Sequence, residues 1–161
     1  MSAKEVNKLK KLPPKEKILE AYTAIGDHHV QMGENEAKVI SSNEAKRYTV
    51  KWHGDLYQSN DNATYWQGYP GYPILAVLML QGRLPFDPKL AKQLSNIDWN
   101  KVNQEFKRDY AAAATAVLTK KELDVGKVMQ EVDNCYEVLT KLPLVIKRCG
   151  VKVEKLTSSN S

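Results

Sequence analysis

The chain has 161 residues and a formal net charge of +5, with 42% hydrophobic and 27% charged residues. These proportions are typical of a soluble globular protein. No apolar run reaches the roughly 18 residues of a membrane-spanning helix, and two cysteines are too few for a disulfide-stabilised fold.

The length predicts a single globular domain over residues 1–157, followed by a disordered tail at 158–161. Residues 1–13 are rich in lysine and are expected to form a basic arm or a short helix. A second helix is expected from Pro14, because proline is favoured at the first helical position. The N-terminal segment lacks the apolar core of a secretory signal, so we expect a cytoplasmic protein with reduced thiols.

Residues 37–59 are predicted to form a three-stranded antiparallel meander. The stretch from Arg47 to Trp52 alternates apolar and polar side chains, which is the period of a half-buried strand. His53-Gly54 suits a tight turn, since glycine allows a positive φ. Arg47 and Lys51 would then share the polar face of the central strand.

Residues 73–142 are predicted to be helical. The run Ile74–Leu80 is apolar on all sides, so it predicts a buried helix that begins at Pro73. Asp98 is a suitable N-cap for a helix whose apolar residues recur from Trp99 to Val117 at spacings of three and four. The fold class expected is α+β: an N-terminal helix, the meander, and a C-terminal helical bundle around the buried apolar helix.

The segment before the buried helix is crowded with aromatic residues. Tyr65, Trp66, Tyr69 and Tyr72 surround glycines and prolines that predict an irregular loop. Tyrosine and tryptophan combine a flat apolar face with a polar tip, which suits ligand pockets, interfaces and base stacking. A structural role, in which the same rings cap the buried helix and fill the junction between the sheet and the helix, is the alternative interpretation, and the sequence leaves both open.

Few residues suit metal or nucleophile chemistry. The adjacent His28 and His29 point to different sides of a helix or strand, and no cysteine pair has metal-ligand spacing. Cys135 falls in an apolar helical stripe, whereas Cys149 lies beside basic residues but has no histidine near it in sequence. No phosphate-binding loop, dinucleotide fingerprint or nucleophile elbow is present, and we expect no cofactor and no metal.

The leading hypothesis is a non-catalytic binding module for nucleic acid or a protein partner, with no membrane partner. Its candidate residues combine the aromatic loop with the basic face of the sheet: Arg47, Lys51, Tyr65, Trp66, Tyr69 and Tyr72. One alternative is a small enzyme with a pocket between the sheet and the helix Pro73–Leu80, lined by Tyr69, His53 and Asp61. Another is a homo-oligomer whose interface is the aromatic loop; the sequence does not fix the oligomeric state.

Overall fold

The structure, a computed structural model, describes residues 9–156. Its helices and strands run in the order α1 (Lys17–Gly26), β1 (Val30–Met32), β2 (Glu36–Ile40), β3 (Lys46–His53), β4 (Leu56–Ser59), a π-helix (Ala63–Gln67), α2 (Tyr72–Leu80), α3 (Pro88–Gln93), α4 (Trp99–Glu105), α5 (Tyr110–Lys120), α6 (Val125–Lys141), β5 (Val145–Arg148) and β6 (Glu154–Lys155). The α+β class is therefore confirmed. The predicted tail at 158–161 and most of the predicted basic arm lie outside the described residues, and residues 9–16 precede the first helix.

The sheet has six strands, so the predicted three-stranded meander is only part of it. Strands β1 to β4 pair in antiparallel order, with Val39 opposite Tyr48 and Trp52 opposite Tyr57. Strand β5 adds to β4 in parallel, and β6 pairs with the start of β3. A parallel neighbour requires a long crossover connection, and here that connection contains every helix from α2 to α6.

Helix α2 lies between the sheet and α1, which differs from the predicted bundle centred on this helix. Its residues from Pro73 to Met79 are all buried. The principal neighbours of α2 are α1 and the strands β1, β3 and β4. A helix that is apolar all round needs partners on every side. The sheet covers one side of α2, and the N-terminal helix α1 takes the place that the prediction gave to the later helices.

The predicted long helix that begins at Trp99 is divided into α4 and α5. Lys107 and Arg108 between them have positive φ values of 53° and 66°, which are outside the range of an α-helix. Asp109 then accepts a hydrogen bond from the backbone N–H of Ala112 at 3.1 Å and caps α5. The apolar spacing continues across this break, so the pattern alone did not reveal it.

Aspartate caps fix the starts of the other late helices. Asp87, Asp98 and Asp124 each accept a backbone N–H of the first helical turn, at 3.0, 3.1 and 3.1 Å. No helix within residues 9–156 combines the length and the apolarity that crossing a membrane requires.

Candidate functional site

A polar cavity of about 220 Å³ opens where α1, α4, the β2–β3 turn and the start of α2 meet. We call it the central cleft. Its lining residues are Lys17, Glu20, Ser41, Ser42, Asn43, Ala45, Lys46, Tyr48, Asp61, Asn62, Ala63, Tyr72, Asn100 and Asn103. The cleft lies at the N-terminal end of α2. The interface between α2 and the sheet, where the enzyme hypothesis placed a pocket, is filled by buried apolar side chains.

Glu20 is a buried carboxyl group in this cleft, with 7% of its surface exposed. It lies on the first turns of α1, three residues after Lys17, whose Nζ is 3.2 Å from Glu20 Oε2. Asn103 of α4 donates a second hydrogen bond to the same oxygen at 3.1 Å. Lys17 Nζ also lies 4.5 Å from the centroid of the Tyr110 ring, so the ammonium group is held from two sides.

The second oxygen of Glu20, Oε1, accepts no hydrogen bond from residues 9–156. Both hydrogen bonds that Glu20 accepts from described residues end on Oε2. Within residues 9–156, His29 Nδ1 is the one fully buried side-chain nitrogen or oxygen that has no partner. Glu20 Oε1 is not such an atom, and the cavity that Glu20 lines is the central cleft.

Burial raises the pKa of the Glu20 carboxyl above its ordinary value, because the charged form loses its hydration. Lys17 and the hydrogen bond from Asn103 act in the opposite direction, and burial outweighs them. A carboxyl group with a raised pKa stays protonated to a higher pH than an ordinary carboxyl group. It still releases that proton more readily near neutral pH than an ammonium group does. This is the property that acid–base catalysis requires of a carboxyl group.

Asp61 is the second buried carboxyl group of the cleft, and its role is mainly structural. Ser59 Oγ donates to Asp61 Oδ1 at 2.5 Å, and the backbone N–H of Thr64 donates to Oδ2 at 3.2 Å. Burial raises the pKa of Asp61, although the hydrogen bonds from Ser59 and Thr64 favour its charged form. These bonds hold Asp61 against Gly71 and fix the backbone between β4 and α2.

Two tyrosines form an apolar wall of the cleft. The rings of Tyr48 and Tyr72 are edge to face, with centroids 6.5 Å apart. Burial raises the pKa of Tyr48 to about 12 and that of Tyr72 well above its ordinary value, and the nearby Glu20 and Asp61 add to both shifts. Both phenols stay neutral in the physiological range and are hydrogen-bond donors rather than bases.

A second cavity of about 440 Å³ adjoins the central cleft. We call it the outer groove. Lys17, Asn62, Ala63, Asn100 and Asn103 line both cavities, and the outer groove is completed by Trp66, Gln67, Tyr69, Gln104, Arg108 and Tyr110. The cavities share these lining residues and are therefore adjacent, and the volume of the outer groove falls in the range that small-molecule ligands occupy, about 300–1,000 Å³.

The structure places four of the sequence-predicted residues at or beside this site. Trp66 and Tyr69 line the outer groove, and Tyr72 lines the central cleft. Trp66 is 71% exposed and packs edge to face on Tyr65, with ring centroids 4.9 Å apart. The Tyr65 ring in turn lies 4.6 Å from the Arg148 guanidinium carbon of β5. The Trp66 indole is therefore an exposed ring that packs on Tyr65, and Tyr65 is itself in contact with Arg148.

The structure places Arg47 and Lys51 on β3, away from both cavities. Arg47 donates two hydrogen bonds to Glu154 Oε1, from Nε at 3.1 Å and from a terminal nitrogen at 2.5 Å, so a carboxylate of β6 neutralises its charge. Lys51 is half-buried in the sheet. Thr49 between them is 1% exposed, because Lys38 and Asn60 contact it. Arg47 and Lys51 therefore line neither of the cavities that the residues of the aromatic loop line.

Of the residues expected in an enzyme pocket, Asp61 lines the central cleft and Tyr69 the outer groove. His53 is exposed at the end of β3 and lines neither cavity. Over residues 9–156, no three His, Cys, Asp or Glu side chains are grouped closely enough to hold a metal ion. Cys135 and Cys149 are both free and buried, and burial raises the pKa of Cys135 to about 12.

The sequence analysis missed the residues that give the site its chemistry, namely Glu20, Lys17, Asn103 and Arg108. Glu20 is one helical turn from Lys17, and this i, i+3 spacing of opposite charges is the only local signal that points to it. The contact between Glu20 and Asn103 joins residues 83 positions apart. No local pattern predicts such a contact.

Residues 10–145 match the protein family described as "Uncharacterised conserved protein UCP014422". No curated protein and no solved structure matches the chain.

Proposed function

Since the chain belongs to the family described as uncharacterised conserved protein UCP014422, its own site is the basis for a functional assignment, and we propose that it is a small enzyme. Glu20 would act as a general acid–base group on a polar substrate held in the central cleft. The observation that supports this proposal is a buried carboxyl group inside a polar cavity, with one oxygen that accepts no hydrogen bond from residues 9–156.

The surroundings of Glu20 suit proton transfer. Asn103 and Lys17 fix Oε2, so the carboxyl group keeps its orientation when it gains or loses a proton. Lys17 also stabilises the carboxylate that remains after a proton is donated. A substrate hydroxyl or amine within hydrogen-bond reach of Oε1 would complete the arrangement that acid–base catalysis needs.

The test follows the consumption of small molecules. Purified wild-type protein is incubated with a mixture of polar metabolites, and mass spectrometry identifies any compound that is depleted. We expect Glu20→Gln to lower the rate by about 10²–10⁴-fold, the usual contribution of one acid–base group. The matched control is Glu105→Gln on α4, because Glu105 is exposed and lines neither cavity.

The dependence of the rate on pH separates a proton-transfer role from a structural one. If Glu20 acts as the acid, the wild-type rate falls as the pH rises through the raised pKa of its carboxyl group, and Glu20→Gln lacks this limb of the profile. Depletion at equal rates by wild type and Glu20→Gln would refute the proposal. So would a parallel loss of activity in Glu105→Gln.

A binding module for nucleic acid or a protein partner is the second candidate function. The exposure of Trp66, at 71%, is the observation that favours it. Labelled single- and double-stranded RNA and DNA are titrated at two salt concentrations against wild type, Trp66→Ala, Arg47→Ala and Lys51→Ala. Binding that none of these substitutions weakens would exclude this candidate.

The cellular location and the oligomeric state belong to the proposal as well. We place the protein in the cytoplasm, and its two free cysteines support this because thiols stay reduced there. Self-association through the exposed Trp66 is tested by sedimentation of wild type and Trp66→Ala. A dimer that persists in the variant would exclude that interface.

A further inference from the structure

Two unusual backbone segments lie on the walls of the outer groove. The π-helix Ala63–Gln67 carries Trp66, and a loop with two consecutive positive φ values carries Arg108. π-helical turns are rare and are frequent at functional sites. Non-glycine residues seldom adopt positive φ, so the chain accepts a conformational cost at Arg108, which lines the groove.

The charge of the outer groove favours an anionic ligand. Its lining includes the cations Lys17 and Arg108 and no carboxylate. Lys17 is already paired with Glu20, whereas Arg108 forms no ion pair with any residue in the range 9–156. A guanidinium group presents a planar fork of N–H donors that matches phosphate oxygens. Among residues 9–156, Arg108 is therefore the cation of the outer groove that has no ion-pair partner, and its side chain is of the kind that binds phosphate.

The remaining groups favour a planar ring with hydrogen-bonding edges. Trp66 offers an exposed indole face, and aromatic side chains stack on nucleobases with little dependence on sequence. Asn62, Gln67 and Gln104 supply carboxamides, which carry a donor and an acceptor side by side and can pair with a base edge. A neutral carbohydrate would use the indole and the carboxamides but would leave the charge of Arg108 unused.

We propose that the outer groove binds a nucleoside monophosphate, with the base stacked on Trp66 and the phosphate on Arg108. The volume of about 440 Å³ suits a ligand of this size. The sugar would face the shared wall of Asn62, Asn100 and Asn103, beyond which Glu20 lies. The inference rests on the proposed function only in that the two cavities are adjacent, because binding in the groove does not need the carboxyl group of Glu20.

The test measures affinities by titration calorimetry. The ligands are the four common nucleoside monophosphates, their nucleosides and ribose 5-phosphate. We expect Trp66→Ala to weaken nucleotide binding about tenfold or more. Arg108→Asn should weaken nucleotide binding by a similar factor and leave nucleoside binding unchanged, because asparagine tolerates positive φ but has no charge. Lys107→Asn is the matched control, since Lys107 is the neighbouring cation and does not line the groove.

Several results would overturn the inference. These are the absence of binding by every nucleotide, an affinity that Trp66→Ala and Arg108→Asn leave unchanged, and ribose 5-phosphate binding as tightly as the nucleotides. Tighter binding of a short single-stranded oligonucleotide than of any mononucleotide would also overturn it, because the ligand would then be a polymer.

Glu20→Gln separates this inference from the proposed enzyme. Nucleotide affinity that persists in Glu20→Gln, without any depletion by the wild type, would support the ligand and refute the catalysis. Depletion of another metabolite that depends on Glu20, without nucleotide binding, would do the reverse.

Discussion

Replacing Gly71 by alanine should destabilise the protein through one identifiable clash. Gly71 packs against the buried carboxyl group of Asp61, and an added Cβ would lie 2.9 Å from Asp61 Cγ and 3.2 Å from Ala63 Cβ. Carbon atoms in favourable contact are about 3.5–4.0 Å apart. Ser59 and Thr64 hold Asp61 by hydrogen bonds, so the carboxyl group moves only if these bonds are strained or broken.

The magnitude follows from two contributions. Overpacking of a filled interior costs about 1–3 kcal/mol, and loss of one buried hydrogen bond adds about 1 kcal/mol. We therefore expect Gly71→Ala to lower the free energy of unfolding by about 2–4 kcal/mol. Urea denaturation followed by circular dichroism measures this change, with an unaltered m-value showing that the two-state transition is preserved.

The matched control is the same substitution at Gly126 in α6. An added Cβ there is 3.5 Å from Asp124 Oδ1, which is ordinary contact, and the site is exposed. Gly126→Ala should therefore raise the free energy of unfolding by about 0.5–1 kcal/mol, because alanine is the better helix former. The two alanine substitutions are expected to have opposite signs.

A double-mutant cycle identifies the cause of the destabilisation. In an Asp61→Ala background, the carboxyl group that Gly71→Ala displaces is absent. The second substitution should then cost less than about 1 kcal/mol, which gives a coupling of about 1–4 kcal/mol between the two positions. Additive effects, or a Gly71→Ala protein within about 0.5 kcal/mol of wild type, would refute the reasoning.

Three further predictions concern the interior and its titration. Thr23→Val removes the hydroxyl that accepts the indole N–H of Trp99 at 2.8 Å, and should cost about 2–3 kcal/mol in urea denaturation, whereas Thr23→Ser keeps most of that stability. Leu78→Ala in α2 should cost about 2–5 kcal/mol, and Leu80→Ala less than about 1 kcal/mol, because Leu78 is fully buried and Leu80 is 40% exposed; equal losses would contradict the burial. The free energy of unfolding should fall as the pH rises from the ordinary glutamate pKa of 4.5 to the raised pKa of Glu20, because the folded state keeps a proton that the unfolded chain has released. Glu20→Gln should flatten this slope. An unchanged slope in the variant would contradict the burial of the carboxyl group.

The candidate site was predictable in part. Aromatic crowding pointed to Trp66, Tyr69 and Tyr72, and all three line the two adjacent cavities. Arg47 and Lys51, the predicted basic face, line neither cavity, and Glu154 of the last strand pairs with Arg47. Strand β6 is separated from β3 by about a hundred residues, so no local pattern in the sequence shows that pairing.

By itself, the sequence determined the features that depend on neighbouring residues. Asp87 and Asp98 cap the helices that follow them, and the apolar run from Ile74 makes α2 a buried helix, since capping and hydrophobic burial depend on residue type and short spacings. The alternation in Arg47–Trp52 likewise predicted β3.

Only the tertiary structure decided the features that depend on distant residues. The parallel addition of β5 to β4 and the break at Lys107 and Arg108 depend on how the late helices pack, and periodicity does not encode packing. The same holds for the meeting of Glu20 on α1 with Asn103 on α4. A carboxyl group in an amphipathic helix usually faces solvent. Burial raises the pKa of Glu20 even though the amide of Asn103 acts in the opposite direction, and this raised pKa is the basis of the chemistry proposed for the site.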